Sequence, residues 1–205
     1  MQNPSIHSIF EPIEPRLMFS AVAVVDSSLA DMATLRSAID VDAEVVCFNS
    51  QTDSAEDVID SILASVDPDE TLDSVSIFSH GREGEFQFGN ERINKQTAWD
   101  HRQDWQRLAE HLVPGGNMYL FGCEVGAGLD GIDFLDALGE LTGADVFASD
   151  DITGRGGDWD LEVASSGAEA ELSAGLDLGL DAVPASGYEH RLAIGEFDTS
   201  ADISP

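Results

Sequence analysis

Short apolar runs alternate with helix-period stripes along this chain. Residues 21–26 (AVAVVD), 44–48 (EVVCF), 72–79 (LDSVSIFS), 117–121 (NMYLF) and 145–148 (DVFA) are β-branched or aromatic runs of strand length. Continuous runs of this kind predict strands buried on both faces. Between them, Met32, Leu35, Arg36 and Ile39 fall at roughly helical spacing after Ser27-Ser28, which offers an N-cap. Val58, Ile59, Ile62, Leu63 and Val66 form one apolar stripe of a second helix, capped by Asp53 or Ser54 and stopped by Pro68. A third helix is predicted from Thr97, with Trp105, Leu108, Ala109 and Leu112 on one face and Pro114-Gly115-Gly116 as its stop. A fourth runs from Gly128 to Leu141, ended by Thr142-Gly143. Residues 85–90 (EFQFGN) alternate polar and apolar, the period of a half-exposed strand in a small hairpin. Residues 158–164 (DWDLEVA) alternate likewise and predict an edge strand.

Strand and helix alternating at this spacing predict an α/β fold with a mostly parallel sheet, right-handed crossovers and helices on both faces. Three segments are expected: a leader over 1–20, an α/β domain over 21–164, and a weakly ordered acidic tail over 165–205, rich in Gly, Ala, Ser and Asp.

Charge changes the picture of partners. Asp and Glu number 40 against 9 Lys and Arg, a formal net charge of -31, and Lys95 is the one lysine. Such a surface repels nucleic acid and anionic membranes. No stretch reaches the ~20 apolar residues that span a bilayer. The acids are spread through patterned segments, which reads as a solvated surface, with divalent-cation binding as the sharper alternative.

Chemistry gathers at two strand ends. One run ends in Ser79-His80-Gly81, another in Gly122-Cys123. In an open parallel sheet, ligands collect at the carboxyl ends of the strands. Neighbouring strands would bring imidazole and thiol into one crevice, the minimal apparatus for nucleophilic catalysis by cysteine. The plainer readings are a polar side chain at a strand end for His80 and a small buried residue for Cys123.

These motifs resemble the caspase-like cysteine peptidases. They are most similar to a bacterial module catalogued as domain-of-unknown-function family 4347, through Val24 to Ser27, Ser79 to Gly81, Gly122-Cys123, Leu141 to Val146 and Gly156 to Glu162. The resemblance implies a three-layer caspase/hemoglobinase-like sheet of order 2-1-3-4-5 plus an edge strand. It implies His80 as general base, Cys123 as nucleophile, and the N–H groups of Gly81 and Cys123 as an oxyanion hole. It implies a polypeptide substrate. No cofactor or metal is expected, with calcium as the one candidate ion. Asp26, Ser149, Asp150 and Asp151 stand where such enzymes line the pocket for the residue before the scissile bond. Carboxylates there would favour Arg or Lys, leaving Arg16 and Arg191 as self-processing sites; helix capping and loop solvation are the plainer roles.

In that strand order Cys47, expected in the core, lies three steps or ~14 Å from Cys123. A disulfide requires Cα atoms within roughly 7 Å, so two free thiols are expected. Gly156-Gly157-Asp158-Trp159-Asp160 lacks full calcium-loop spacing and reads as a turn. His101 and His111 read as surface or flanking residues. Ile13 to Ala21 resembles the Leu-Glu-Pro-Arg leader of large exported bacterial proteins, implying an extracellular or cell-surface location. A non-catalytic module at the head of a surface or adhesin-like protein is the alternative. A nucleotide-binding domain is disfavoured, since neither Gly-x-Gly-x-x-Gly after the first strand nor a Gly-Lys-Ser/Thr loop is present.

Overall fold

The computed structural model describes residues 20–39, 43–68, 70–168 and 187–194. Residues 1–19 of the leader, Arg16 among them, and most of the expected tail lie outside them. Five parallel strands form the sheet: β1 (Ala21–Asp26), β2 (Glu44–Phe48), β3 (Leu72–Phe78), β7 (Leu112–Phe121) and β8 (Asp145–Ala148). A short β9 (Val163–Ala164) adds antiparallel to β8, giving the order β2-β1-β3-β7-β8-β9. The alternating segment predicted over 158–164 is thus strand only at its end. The hairpin predicted around 85–90 is a separate three-stranded sheet of β4 (Gly81–Arg82), β5 (Glu85–Phe88) and β6 (Glu91–Asn94).

The pleat sends alternate residues of each central strand to opposite cores. Val22 and Val24, Val75 and Ile77, Met118 and Leu120 face one core. Ala23 and Val25, Phe78, Tyr119 and Phe121 face the other. The first core is covered by α2 (Ala55–Ser65), α3 (Lys95–Asp100), α4 (Arg102–Ala109) and α5 (Gly128–Thr142), with Phe86, Phe88 and Ile93 of the hairpin. Among the described residues the second core is covered by α1 (Met32–Ala38) and completed by loop residues Leu161, Tyr188 and Leu192.

Local chemistry sets the helix starts. Asp31, not Ser27 or Ser28, caps α1 by accepting from the Thr34 amide. Ser54 caps α2, and Asp57 returns the bond to complete a capping box. Asn94 caps α3, so the third predicted helix begins earlier than Thr97 and breaks at His101 into α3 and α4. Pro114-Gly115-Gly116 lies inside β7 instead of ending a helix, at the register shift between the Leu72 and Ser74 pairings. An irregular pairing of that kind accommodates proline and glycine. Cys47 is exposed, against the core position expected for it. It lies on edge strand β2 between Val46 and Phe48, which face the first core, so its own side points away from that core. Both thiols are free.

Candidate functional site

Because β1, β3, β7 and β8 run parallel, Asp26, His80, Cys123 and Ser149 all lie at one edge of the sheet. α1 lies on the opposite face from α2, α3, α4 and α5, so the crossovers change sides between β1 and β3. That is a topological switch point, where a crevice opens in folds of this kind. The register pairs Phe78 with Phe121, which leaves His80 and Cys123 level with each other, two residues on. Beneath them the rings of Phe78 and Phe121 stack at 4.6 Å.

The glycines beside the two functional side chains are required by space. A Cβ on Gly81 would lie 2.4 Å from Val125 Cγ2 and 2.9 Å from the Cys123 carbonyl oxygen. One on Gly122 would lie 3.0 Å from the Ser79 carbonyl oxygen and 3.2 Å from the Gly81 nitrogen. The turns after β3 and β7 therefore approach backbone to backbone, which only glycine permits. The hairpin fixes the first turn: the Gln87 amide donates to the His80 carbonyl at 2.8 Å, and the Ser79 hydroxyl donates to the Gln87 carbonyl. The second turn is sharp. Glu124 adopts φ 59°, a left-handed conformation uncommon for a residue with a side chain.

The two turns aim their amides at a single atom. Gly81 N–H donates to the carbonyl of Leu192 at 2.8 Å, and Cys123 N–H donates to the same oxygen at 2.9 Å. Leu192 belongs to a strap, residues 187–194, that returns to the sheet from within the segment expected to be weakly ordered. Strap and site are held on both sides. The Leu192 amide donates to the Thr153 carbonyl at 3.2 Å, Arg155 N–H to the His190 carbonyl at 2.8 Å, and Ile194 N–H to the Gly81 carbonyl at 2.9 Å. Trp159 stands between Phe121, at 6.1 Å, and Tyr188 of the strap, at 5.7 Å. The Gly-Gly-Asp-Trp-Asp turn thus supplies an aromatic anchor for the strap.

The Cys123 thiol is 1% exposed and donates to the Thr153 carbonyl at 3.5 Å. It shares that acceptor with the Leu192 amide. Asp26 is wholly buried; one carboxylate oxygen accepts from Ser28 N–H at 2.8 Å. Its other oxygen and His80 Nδ1 are buried without a hydrogen bond. Burial pulls the His80 imidazole below its usual pKa, and the Asp26 charge partly offsets that pull. The lowered pKa favours the neutral ring, the state in which a histidine can accept a proton.

The family model for a domain of unknown function, DUF4347, matches residues 22–177. The chain belongs to the DUF4347 family. No curated protein matches it. One solved structure, described as a small-chain dehydrogenase, is similar at 12% identity, a TM-score of 0.29, and coverage of 60% of this chain and 70% of its own. The strap lies beyond the family match.

In this DUF4347 chain Ser149, Asp150 and Asp151, also expected at the site, follow directly on β8. Ser149 is buried, and its hydroxyl accepts from the Asp151 amide at 3.1 Å. Asp150 and Asp151 are exposed; Asp150 N–H donates to Glu162, and the Asp151 carbonyl accepts from Glu124 N–H at 2.6 Å. These residues shape the turn that follows Cys123. Asp151, Asp158 and Glu162, all exposed, bring carboxylate oxygens within 4.8 Å of one another, a grouping that could hold a metal ion. The Glu162 carboxyl is pushed up by burial, with the charges of Asp150 and Asp151 adding and two backbone hydrogen bonds opposing. Among the described residues no helix is long and apolar enough to cross a membrane. Thr153 and Leu192 escaped sequence reasoning because each contributes a carbonyl, which no residue type announces. The one available signal was the apolar island Tyr188, Leu192, Ala193, Ile194 in an otherwise Gly-, Ala- and Asp-rich tail.

Proposed function

We propose that this domain is a caspase-like cysteine endopeptidase acting on polypeptides, either itself or a larger exported protein. The observation that carries the reading is the convergence of two backbone N–H groups, of Gly81 and Cys123, on one carbonyl oxygen. An acyl-transfer site needs that arrangement, with donors 2.7–3.1 Å from the oxygen that will carry negative charge. His80, neutral and level with Cys123 on the neighbouring strand, is the general base; Cys123 is the nucleophile. Asp26, buried at the end of β1, biases the imidazole towards holding the proton it takes. The order of the parallel strands agrees with the caspase-like resemblance, although doubly wound nucleotide-binding folds share it. Export to the cell surface rests on the Ile13 to Ala21 leader resemblance.

A second reading has its own observation. The Leu192 carbonyl fills both amides, and the Cys123 thiol is buried against Thr153. A site closed in this way also fits a non-catalytic module that retains the fold at the head of a surface protein.

Labelling with a thiol-reactive peptide probe separates the two. Cys47 is exposed and would react indiscriminately, so the comparison belongs in a Cys47→Ser background. A peptidase labels at Cys123, loses the label in Cys123→Ala and slows at least tenfold in His80→Ala. Absence of labelling with and without calcium supports the non-catalytic module.

A further inference from the structure

The strap crosses the site as an extended peptide. Gly154 pairs antiparallel with Arg191 on one side of Leu192, and Gly81 pairs parallel with Ala193 on the other. Side chains alternate along it. The Leu192 side chain is 0% exposed and joins the core of Phe121, Leu161 and Tyr188. Arg191 is exposed, and its Nε donates to the Arg155 carbonyl at 2.9 Å. The peptide unit seated on the two amides is therefore the one that joins Leu192 to Ala193. The Cys123 thiol lies beside it, sharing the Thr153 carbonyl with the Leu192 amide.

We infer that the strap is the domain's built-in substrate, that the bond presented for cleavage is Leu192–Ala193, and that the site takes an apolar residue before the scissile bond. This rests on the peptidase reading and replaces the basic preference expected from Asp26, Asp150 and Asp151. Leu192 occupies the buried position, whereas Arg191 occupies the exposed one. In the first step His80 takes the Cys123 proton and sulfur attacks the Leu192 carbonyl carbon. The Gly81 and Cys123 amides hold the oxyanion. The C–N bond to Ala193 breaks, its amine leaves with the proton from His80, and Leu192 remains as a thioester. Water then hydrolyses the thioester, giving a Leu192 carboxylate and a free thiol.

Mass spectrometry and N-terminal sequencing of the incubated full chain test this, with the Cys123 probe labelling run in parallel. The expected result is a new N-terminus at Ala193, absent in Cys123→Ala. The rate constant should be unchanged over a tenfold dilution, because the substrate is in the same chain. Arg191→Ala should be cut at the same bond, and Leu192→Asp at least tenfold more slowly. Cleavage after Arg191 or elsewhere that still needs Cys123 overturns the inference and leaves the peptidase reading standing. An intact chain whose Cys123 takes the probe does the same. An intact chain whose Cys123 ignores the probe removes both.

Discussion

Asp26 acts on His80 through its charge and not through a hydrogen bond. Asp26 is buried and His80 half-buried, the buried Asp26 Oδ2 and His80 Nδ1 atoms have no hydrogen-bond partner, and the carboxylate opposes the burial that lowers the imidazole pKa. Asp26→Asn removes the charge and keeps the shape. The His80 pKa should then fall further below its ordinary value of 6.5, as read by NMR titration of the ring protons. A histidine with a lowered folded pKa takes up its proton in the unfolded state first. Its neutral burial therefore contributes fully above the unfolded pKa and is lost as pH falls towards the folded one. The variant should extend that acid-side loss to lower pH. An unmoved His80 titration would show that the Asp26 charge does not reach the ring.

Gly81 separates steric from conformational demand. Its φ lies outside the left-handed region, so alanine is disfavoured there by contact alone, with Val125 Cγ2, the Cys123 carbonyl oxygen and the Gly122 carbonyl carbon 2.4, 2.9 and 3.0 Å from the added carbon. Gly81→Ala should cost about 1–3 kcal/mol, the range for overpacking a site walled by backbone. Gly115 is the converse, with φ +76° and nothing within 4 Å of an added Cβ. Gly115→Ala should cost about 1–2 kcal/mol through backbone strain alone. Denaturant midpoints at constant m-value check both. A neutral Gly81→Ala would mean that the turns after β3 and β7 can move apart, and the shared acceptor would then be fortuitous.

How far the sequence could be read depended on what each element uses. Strands β1 and β2 are continuous apolar runs, and their limits fall where the runs do. In α2 the stripe of Val58, Ile59 and Ile62 is the buried face. β7 begins earlier than its pattern suggests because Leu112 pairs with Leu72 across a register shift that a Pro-Gly-Gly run otherwise conceals. His80 and Cys123 were legible as side chains at strand ends. Their acceptors were not: Thr153 and Leu192 act through carbonyl oxygens, and the return of residue 192 to residues 81 and 123 is a tertiary event without local periodicity. Asp26 was legible as a buried-strand carboxylate, but its nearness to His80 depends on β1 lying beside β3.

His101 joins α3 to α4 and holds Glu91 through Nε2 at 2.9 Å and Asp104 through Nδ1 at 3.5 Å. Burial lowers its pKa, but the bonds and charges of Glu91 and then Asp104 outweigh burial, and the net shift is upward. A raised folded pKa contributes stability that is full below the unfolded value and is lost as pH rises through the folded one. The ring is half-buried and the side chain of its partner Glu91 is partly exposed, so screening holds the effect to about 1 kcal/mol. The thermal midpoint of His101→Gln should lag wild type at about pH 5 and converge with it by about pH 9. An equal deficit at both ends would assign His101 a packing role instead.

The strongest environmental dependence should be on salt. With 40 acids against 9 Lys and Arg, most carboxylates have no cation to pair with. The ion pairs present, such as Lys95–Asp133 at 2.8 Å and Arg107–Asp60 at 2.5 Å, are solvent-exposed. Each is worth about 0–1 kcal/mol, so screening them costs little. Self-repulsion of a net charge of -31 acts across the whole domain. It is long-ranged at ~0.01 M salt, where the Debye length is ~30 Å, and nearly abolished at ~1 M, where it is ~3 Å. The repulsive side is the larger, so the thermal midpoint should rise monotonically with sodium chloride. Low concentrations of a divalent cation should reproduce part of the rise if the Asp151, Asp158 and Glu162 carboxylates hold one. A midpoint that falls with salt would mean that the few ion pairs, and not the unpaired acids, dominate the electrostatics of this domain.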